Sequence, residues 1–193
     1  WTIAAVFYGA FWLWYAQPRR KLSAQEADEF LEWALQKGLE PQRAHGLRDF
    51  FAADDGRDFV MVNLIKLQKP AKESAAKLAA YQKVFLGQLL LKAGHPLMLA
   101  KRTGANVEHI HCEQNSDWPA MAAIRYRSRR DLLEILPDTF GSEHHQLKLD
   151  ATASTIAFPA SDWYVFGGPK IVVALATLLL ACLAELLIQG TSS

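Results

Sequence analysis

The residues in this chain best suited to chemistry are histidines. His109 and His111 stand two apart, and on an extended strand residues two apart share a face, so both rings can reach one ion. Imidazole pairs suit zinc, copper or iron. Glu108 and Glu113 lie close in sequence, and Cys112 would point the other way. No second paired motif with standard spacing completes the set, so the competing reading is a polar strand or loop. His144 and His145 form a second pair. One of them can line a cavity between helix and sheet and act as acid or base near neutral pH. The alternative is a helix-end histidine in a structural hydrogen bond.

Asn63 interrupts an apolar strand, and Tyr81 faces it from the helix that follows. Arg125 and Tyr126 belong to a neighbouring strand. A buried asparagine must be hydrogen-bonded, so Asn63 either contacts a ligand or ties two strands together. Arg125, Arg127, Arg129 and Arg130 make a basic run, read as a solvated edge or as a surface that meets anionic lipid. The chain has no phosphate-cradling glycine loop, no G-x-S-x-G and no C-x-x-C. The expectation is therefore no resident cofactor, with a metal or haem as the minor alternative. Enzymatic activity is left undecided, leaning against.

The elements that must position these residues follow from periodicity. Ser23 opens a capping box with Glu26, and an apolar stripe at Ala27, Phe30, Leu31, Ala34 and Leu35 predicts a connecting helix. Residues 41–58 read as polar and turn-rich, with a short helix around 44–51. A strand is predicted over Phe59–Leu67 from length and β-branched content. Its apolar run needs cover on both faces. A long helix follows over 71–93, closed by Gly94. Strands are then expected over 95–102 and 119–126, with a shorter one over 107–112. Ser128 caps a helix to about Leu136, a short helix spans 140–149, and a last strand over 152–158 ends at Pro159. The order β-α-β-(β)-β-α-β predicts an α+β class and a ferredoxin-like sheet with two helices on one face.

The two ends differ from the middle. Residues 1–16 hold no charged side chain, and from Ile171 onward the only charge is Glu185. The first segment begins on Trp and is short for a bilayer core of about 30 Å, so a missing start is expected. Trp12, Trp14 and Tyr15 precede Arg19, Arg20 and Lys21, which fits an interfacial aromatic belt with a basic flank rather than a cleaved signal. Trp163 and Tyr164, then Lys170, precede the second apolar run in the same way. The expected division is a transmembrane helix at 1–16, a connecting helix and loop at 17–58, an α+β domain at 59–159, an interfacial linker at 160–170 and a transmembrane helix at 171–190. The basic flanks place the domain in the cytoplasm (the inner membrane, in a bacterium), with both termini on the opposite side. Glu185 is read as reaching the headgroups, or else as marking a proton path or a helix–helix contact.

The 193 residues carry a formal net charge of +1, which gives nucleic acid no reason to bind. The two cysteines, Cys112 and Cys182, fall in different regions and imply no disulfide framework.

Several segments together resemble a known group. They are Val60 to Lys66, the helix end Leu89 to Pro96, Asp117-Trp118 leading into Ala123 to Asp131, and Glu143-His144-His145 before Leu149 to Pro159. Residues 59–159 resemble an uncharacterised family of the dimeric α/β-barrel superfamily. The resemblance implies that two ferredoxin-like sheets associate into a barrel. That superfamily includes monooxygenases without metal, haem-binding enzymes and proteins of no known activity, and the group supplies no catalytic set to carry over. The leading functional expectation is an accessory subunit docked on other integral-membrane subunits. Its alternative is a membrane-tethered small-ligand-binding protein or cofactor-free, monooxygenase-like enzyme using the barrel cavity. The expected partners are the lipid bilayer, foreign membrane subunits and a second copy.

Overall fold

The computed structural model describes residues 1–108, 110–111, 117–140, 143–161 and 167–191. The chain divides into two compact units. One comprises Trp1–Gln17 and Trp163–Ser193, the other Pro18–Asp162.

The first unit is a helix pair. Helix α1 (Thr2–Ala16) and helix α7 (Pro169–Thr191) pack on each other. Over Pro169–Gln189 the mean hydropathy is 2.8, so α7 is long and apolar enough to cross a membrane. Helix α1 is apolar but only 15 residues long, about 22 Å at 1.5 Å per residue.

In the second unit, α2 (Ala24–Gln36) starts at Ser23, whose hydroxyl accepts the Glu26 amide while Glu26 reaches back to the Ser23 amide. Arg130 grips the Glu26 carboxylate through two N–H groups at 2.8 and 3.0 Å, which holds that carboxyl far below its ordinary pKa. Helix α3 (Pro41–Ala52) is longer than its polar sequence predicts. Glu40 caps two of its first amides, and Pro41 occupies the position where a missing N–H costs nothing. The segment expected as a connector carries core: Leu22, Phe30, Ala34, Leu39 and Phe51 share one buried cluster with Phe59, Leu89, Ile124 and Ile135.

Four strands form one antiparallel sheet in the order β2-β3-β1-β4. They are β1 (Phe59–Leu67), β2 (His95–Lys101), β3 (Ala120–Tyr126) and β4 (Thr152–Ala160). Helix α4 (Ala71–Leu91) connects β1 to β2, and α5 (Arg129–Thr139) with α6 (Glu143–Ala151) connects β3 to β4. The register sets Phe59, Met61, Asn63 and Ile65 on one face beside Tyr126, Ile124 and Ala122. Helices cover that face. Val62 and Leu64 point to the other face, only half-buried, among the exposed Met98, Ile156 and Phe158.

Several expectations need correction. No strand forms at 107–112 among the described residues: Val107 is fully exposed, and His111 sits in a bend with φ 51°. Pro137 does not end α5, which runs on to Thr139. Pro159 does not end β4 either. It pairs with Met61 on an edge strand, where a missing amide is tolerated. At the end of α4 it is Ala93 that takes the left-handed conformation, φ 57°. Gly94 serves close approach instead, since a Cβ there would stand 2.9 Å from the Arg125 carbonyl.

The charged core is organised around α5. Ser128 caps the Asp131 amide at 3.0 Å, and Arg127 meets the Asp131 carboxylate at 2.9 and 3.0 Å, with Asp131 only 1% exposed. Arg125, also 1% exposed, donates to the Ala93 carbonyl at 2.7 Å and to Asp58 at 3.0 Å. The basic run is thus largely built into the fold rather than spread along a solvated edge.

Candidate functional site: a cavity between sheet and helices

The covered sheet face does not pack solid against its helices. A cavity of about 480 Å³ lies between them, within the range typical of small-molecule sites. Local sequence explains why. On its two neighbouring strands Asn63 faces Ala122 and Ala157, so small side chains flank it and leave space above the sheet floor. The roof comes from helical stripes. Helix α3 contributes Arg43, Leu47 and Phe50, and α4 contributes Leu78, Tyr81 and Phe85, each at three- and four-residue spacing. Leu132 and Leu136 of α5 and His145 and Lys148 of α6 complete the lining.

Most of this wall is apolar and aromatic. Tyr81 stacks on Phe85 at 5.7 Å, Phe85 meets Tyr126 edge-on at 6.4 Å, and Tyr126 stacks on Phe59 at 5.0 Å. Burial pushes the Tyr81 hydroxyl up to about 12, against the pull of nearby Arg43. Burial raises Tyr126 as well. Both stay neutral donors at physiological pH.

The polar groups are few. Asn63 donates its amide hydrogens to the Met61 carbonyl at 3.0 Å and the Ala122 carbonyl at 3.4 Å. Its carbonyl oxygen accepts from no described residue, which leaves an acceptor at the cavity floor. His145 lies 4.7 Å from the Phe140 ring, and its pKa is lowered by burial and then by the charges of Lys148 and Arg43. Lys148 is lowered in the same way, by burial and by Arg43.

Of the residues expected to do chemistry, Asn63, Tyr81 and His145 come together in this cavity. The side chain of His144 lies outside the described residues, as does His109. His111 is exposed and does not line the cavity, and no group of metal-ligating side chains forms among the described residues. Arg43 and Lys148 were not anticipated. The signals existed: Glu40-Pro41 marks a helix start, and Lys148 follows His145 at i+3, on the same helical face.

The expected interface residues are placed in both units. In the helix pair, the Lys170 ammonium lies 4.9 Å over the Trp12 ring and 5.9 Å from Tyr15, and the Tyr8 hydroxyl donates to the Lys170 carbonyl. Trp14 is exposed. Trp163 and Tyr164 lie outside the described residues. The Trp1 indole N–H donates to Glu185, so Glu185 makes a helix–helix contact. In the other unit Arg19 pairs with Glu134 at 3.3 Å and Arg20 with Glu26 at 2.8 Å, while the Lys21 carbonyl accepts from Arg130. The basic flank is therefore partly neutralised by acidic side chains.

The chain has counterparts among solved structures. RPA0582, a protein of unknown function from Rhodopseudomonas palustris, is similar at 16% identity and a TM-score of 0.52, over 63% of this chain and 94% of that one. The structure of methylated RPA0582 gives 17% identity and a TM-score of 0.51, over 64% and 93%. The likeness is one of fold. No protein-family model matches the chain, and no curated protein matches it in sequence.

Proposed function

We propose that this is a membrane-anchored small-molecule-binding protein whose α+β unit holds a small ligand with an apolar body in the cavity above Asn63. The observation that carries the reading is the cavity itself. It has aromatic walls, and a few polar groups converge in it from separate elements. Asn63 and Tyr81 offer an acceptor and a neutral donor that fix orientation. His145, whose burial favours the neutral ring, is a further group there able to accept a proton. No activated Ser or Cys lines the cavity among the described residues, so binding rather than turnover is the favoured reading.

Strand order β4-β1-β3-β2 with both crossovers on one face supports a ferredoxin-like arrangement within this proposal. Helices α7 and α1 serve as the anchor. The Arg19, Arg20, Lys21 and Lys170 flanks favour a cytoplasmic α+β unit.

A second reading, an accessory subunit of a larger membrane complex, draws on a different observation. Val62, Leu64, Ile156 and Phe158 form an apolar sheet face that the helices leave open. Purification from native membranes in mild detergent separates the two. Mass spectrometry that finds a stoichiometric small molecule, lost in a Leu78→Trp variant that fills the cavity, supports the binding protein. Foreign subunits co-purifying without any small molecule would replace it with the accessory reading.

A further inference from the structure

The cavity lining carries charge of one sign. Arg43 enters from α3, and His145 and Lys148 from α6, while no Asp or Glu lines the cavity among the described residues. Arg43 and Lys148 form no ion pair with any described residue. Several of the less exposed cations in this unit are matched: Arg127 with Asp131, Arg130 with Glu26, Lys92 with Glu134 and Arg125 with Asp58. Arg43 is exposed, but Lys148 is half-buried, and a half-buried cation without a counter-ion loses hydration and gains nothing in return unless something binds it. The nearest compensation for Lys148 is the Tyr81 ring, 5.6 Å away.

We infer that the ligand is an amphipathic monoanion, a carboxylate joined to a flat apolar body. Its head sits among Arg43, His145 and Lys148, and its body lies along the Tyr81 and Phe85 rings. The aromatic pair favours a flat body, because stacked rings present extended planar faces. A carboxylate suits the head because Arg43 can grip two oxygens at once while Lys148 supplies a point charge. This inference rests on the small-ligand reading and narrows it to one chemical class.

The test uses the full chain in lipid nanodiscs, with empty nanodiscs as the blank. The probes are 2-naphthoate and the neutral alcohol of similar size, 2-naphthalenemethanol, titrated calorimetrically. The expected result is that naphthoate binds at least about tenfold more tightly than the alcohol, the scale of one charge-assisted hydrogen bond. In Lys148→Met and Arg43→Leu the preference should collapse while the alcohol still binds. Leu78→Trp should abolish both. Equal affinity for the two probes in the wild-type protein overturns the anion inference and leaves the cavity reading standing. Naphthoate binding that survives Leu78→Trp shows attachment elsewhere and also overturns it. Failure of both probes counts against the cavity reading itself, and the anion inference falls with it.

Discussion

The Lys148 ammonium stands 5.6 Å from the centroid of the Tyr81 ring, across the gap between α6 and α4. Both residues line the same cavity, and burial dominates the titration of each in opposite senses. It raises the tyrosine and lowers the lysine, because in each case the charged form is the one disfavoured.

The lysine should therefore cost stability. Its unfolded pKa is about 10.4 and its folded pKa is lower, so the unfolded chain holds the proton more firmly. Stability contributed by the neutral amine is present above about pH 10.4 and is lost as pH falls through the folded pKa. Lys148→Met should accordingly melt at a higher temperature than the parent at pH 7, with the gain shrinking towards pH 10. Scanning fluorimetry in detergent at both pH values reads this directly. A less stable variant at pH 7 would mean the lysine is a structural support and not an unpaired binding group.

His145 makes a second pH prediction. Among the groups that face it are Lys148 on its own helix, Arg43 on α3 and the Phe140 ring. Its folded pKa lies below 6.5, so its neutral form stabilises the fold above about pH 6.5 and that share is lost as pH falls through the folded value. Histidine ring signals in an NMR titration should show it still neutral when exposed histidines have protonated. His145→Gln should flatten the stability curve over that interval. A titration midpoint above 6.5 in the ligand-free protein would contradict the packing described for the cavity.

How much of this was visible in the sequence depended on how local each cause was. Strand β1 and helix α4 were legible because their periodicities are long and bounded by Lys69-Pro70 and Gly94. Asn63 was legible as a polar residue interrupting an apolar strand, Tyr81 as its neighbour on the helix that follows, and His145 as a histidine in a segment that carries the family resemblance. Helix α3 was blurred because its interior stripe is brief and interrupted by Arg43, His45 and Arg48. The strand expected at 107–112 rested on β-propensity alone. Propensity is a poor guide without a neighbour to pair with, and Val107 stands in solvent. The meeting of Arg43 with Lys148 could not be read at all, since it depends on α3 and α6, far apart in the chain, roofing one cavity.

Asp131 should be among the least replaceable residues. It is held by Arg127 through two hydrogen bonds and by the Ser128 hydroxyl at 3.0 Å, with Arg19 at 3.4 Å. Asp131→Ala leaves the largely buried Arg127 without its counter-charge and removes a cap contact of α5. The expected loss is about 3–5 kcal/mol, measured as a shift in the urea midpoint of the α+β unit's tryptophan signal. A loss under about 1 kcal/mol would show that Arg127 finds water instead.

The last prediction separates the two faces of strand β1. Met61 and Val62 are adjacent, but their side chains point in opposite directions, one into the cavity and core and the other to the open face. Met61→Asp places an unpaired charge among Phe50, Phe85 and Ile124, and such burials account for the rare losses above about 4 kcal/mol. Val62→Asp places the same charge beside Ala123 and Phe158, where Phe158 is itself exposed and water can reach the carboxylate. In a lone chain the second variant should stay folded. If a second copy covers this face, the parent should run as a dimer in detergent and Val62→Asp as a folded monomer. Analytical ultracentrifugation paired with circular dichroism distinguishes the cases. A parent that stays monomeric across the accessible concentration range removes self-association. A Val62→Asp chain that unfolds would place Val62 inside a core of the single chain, contrary to its half-buried position here.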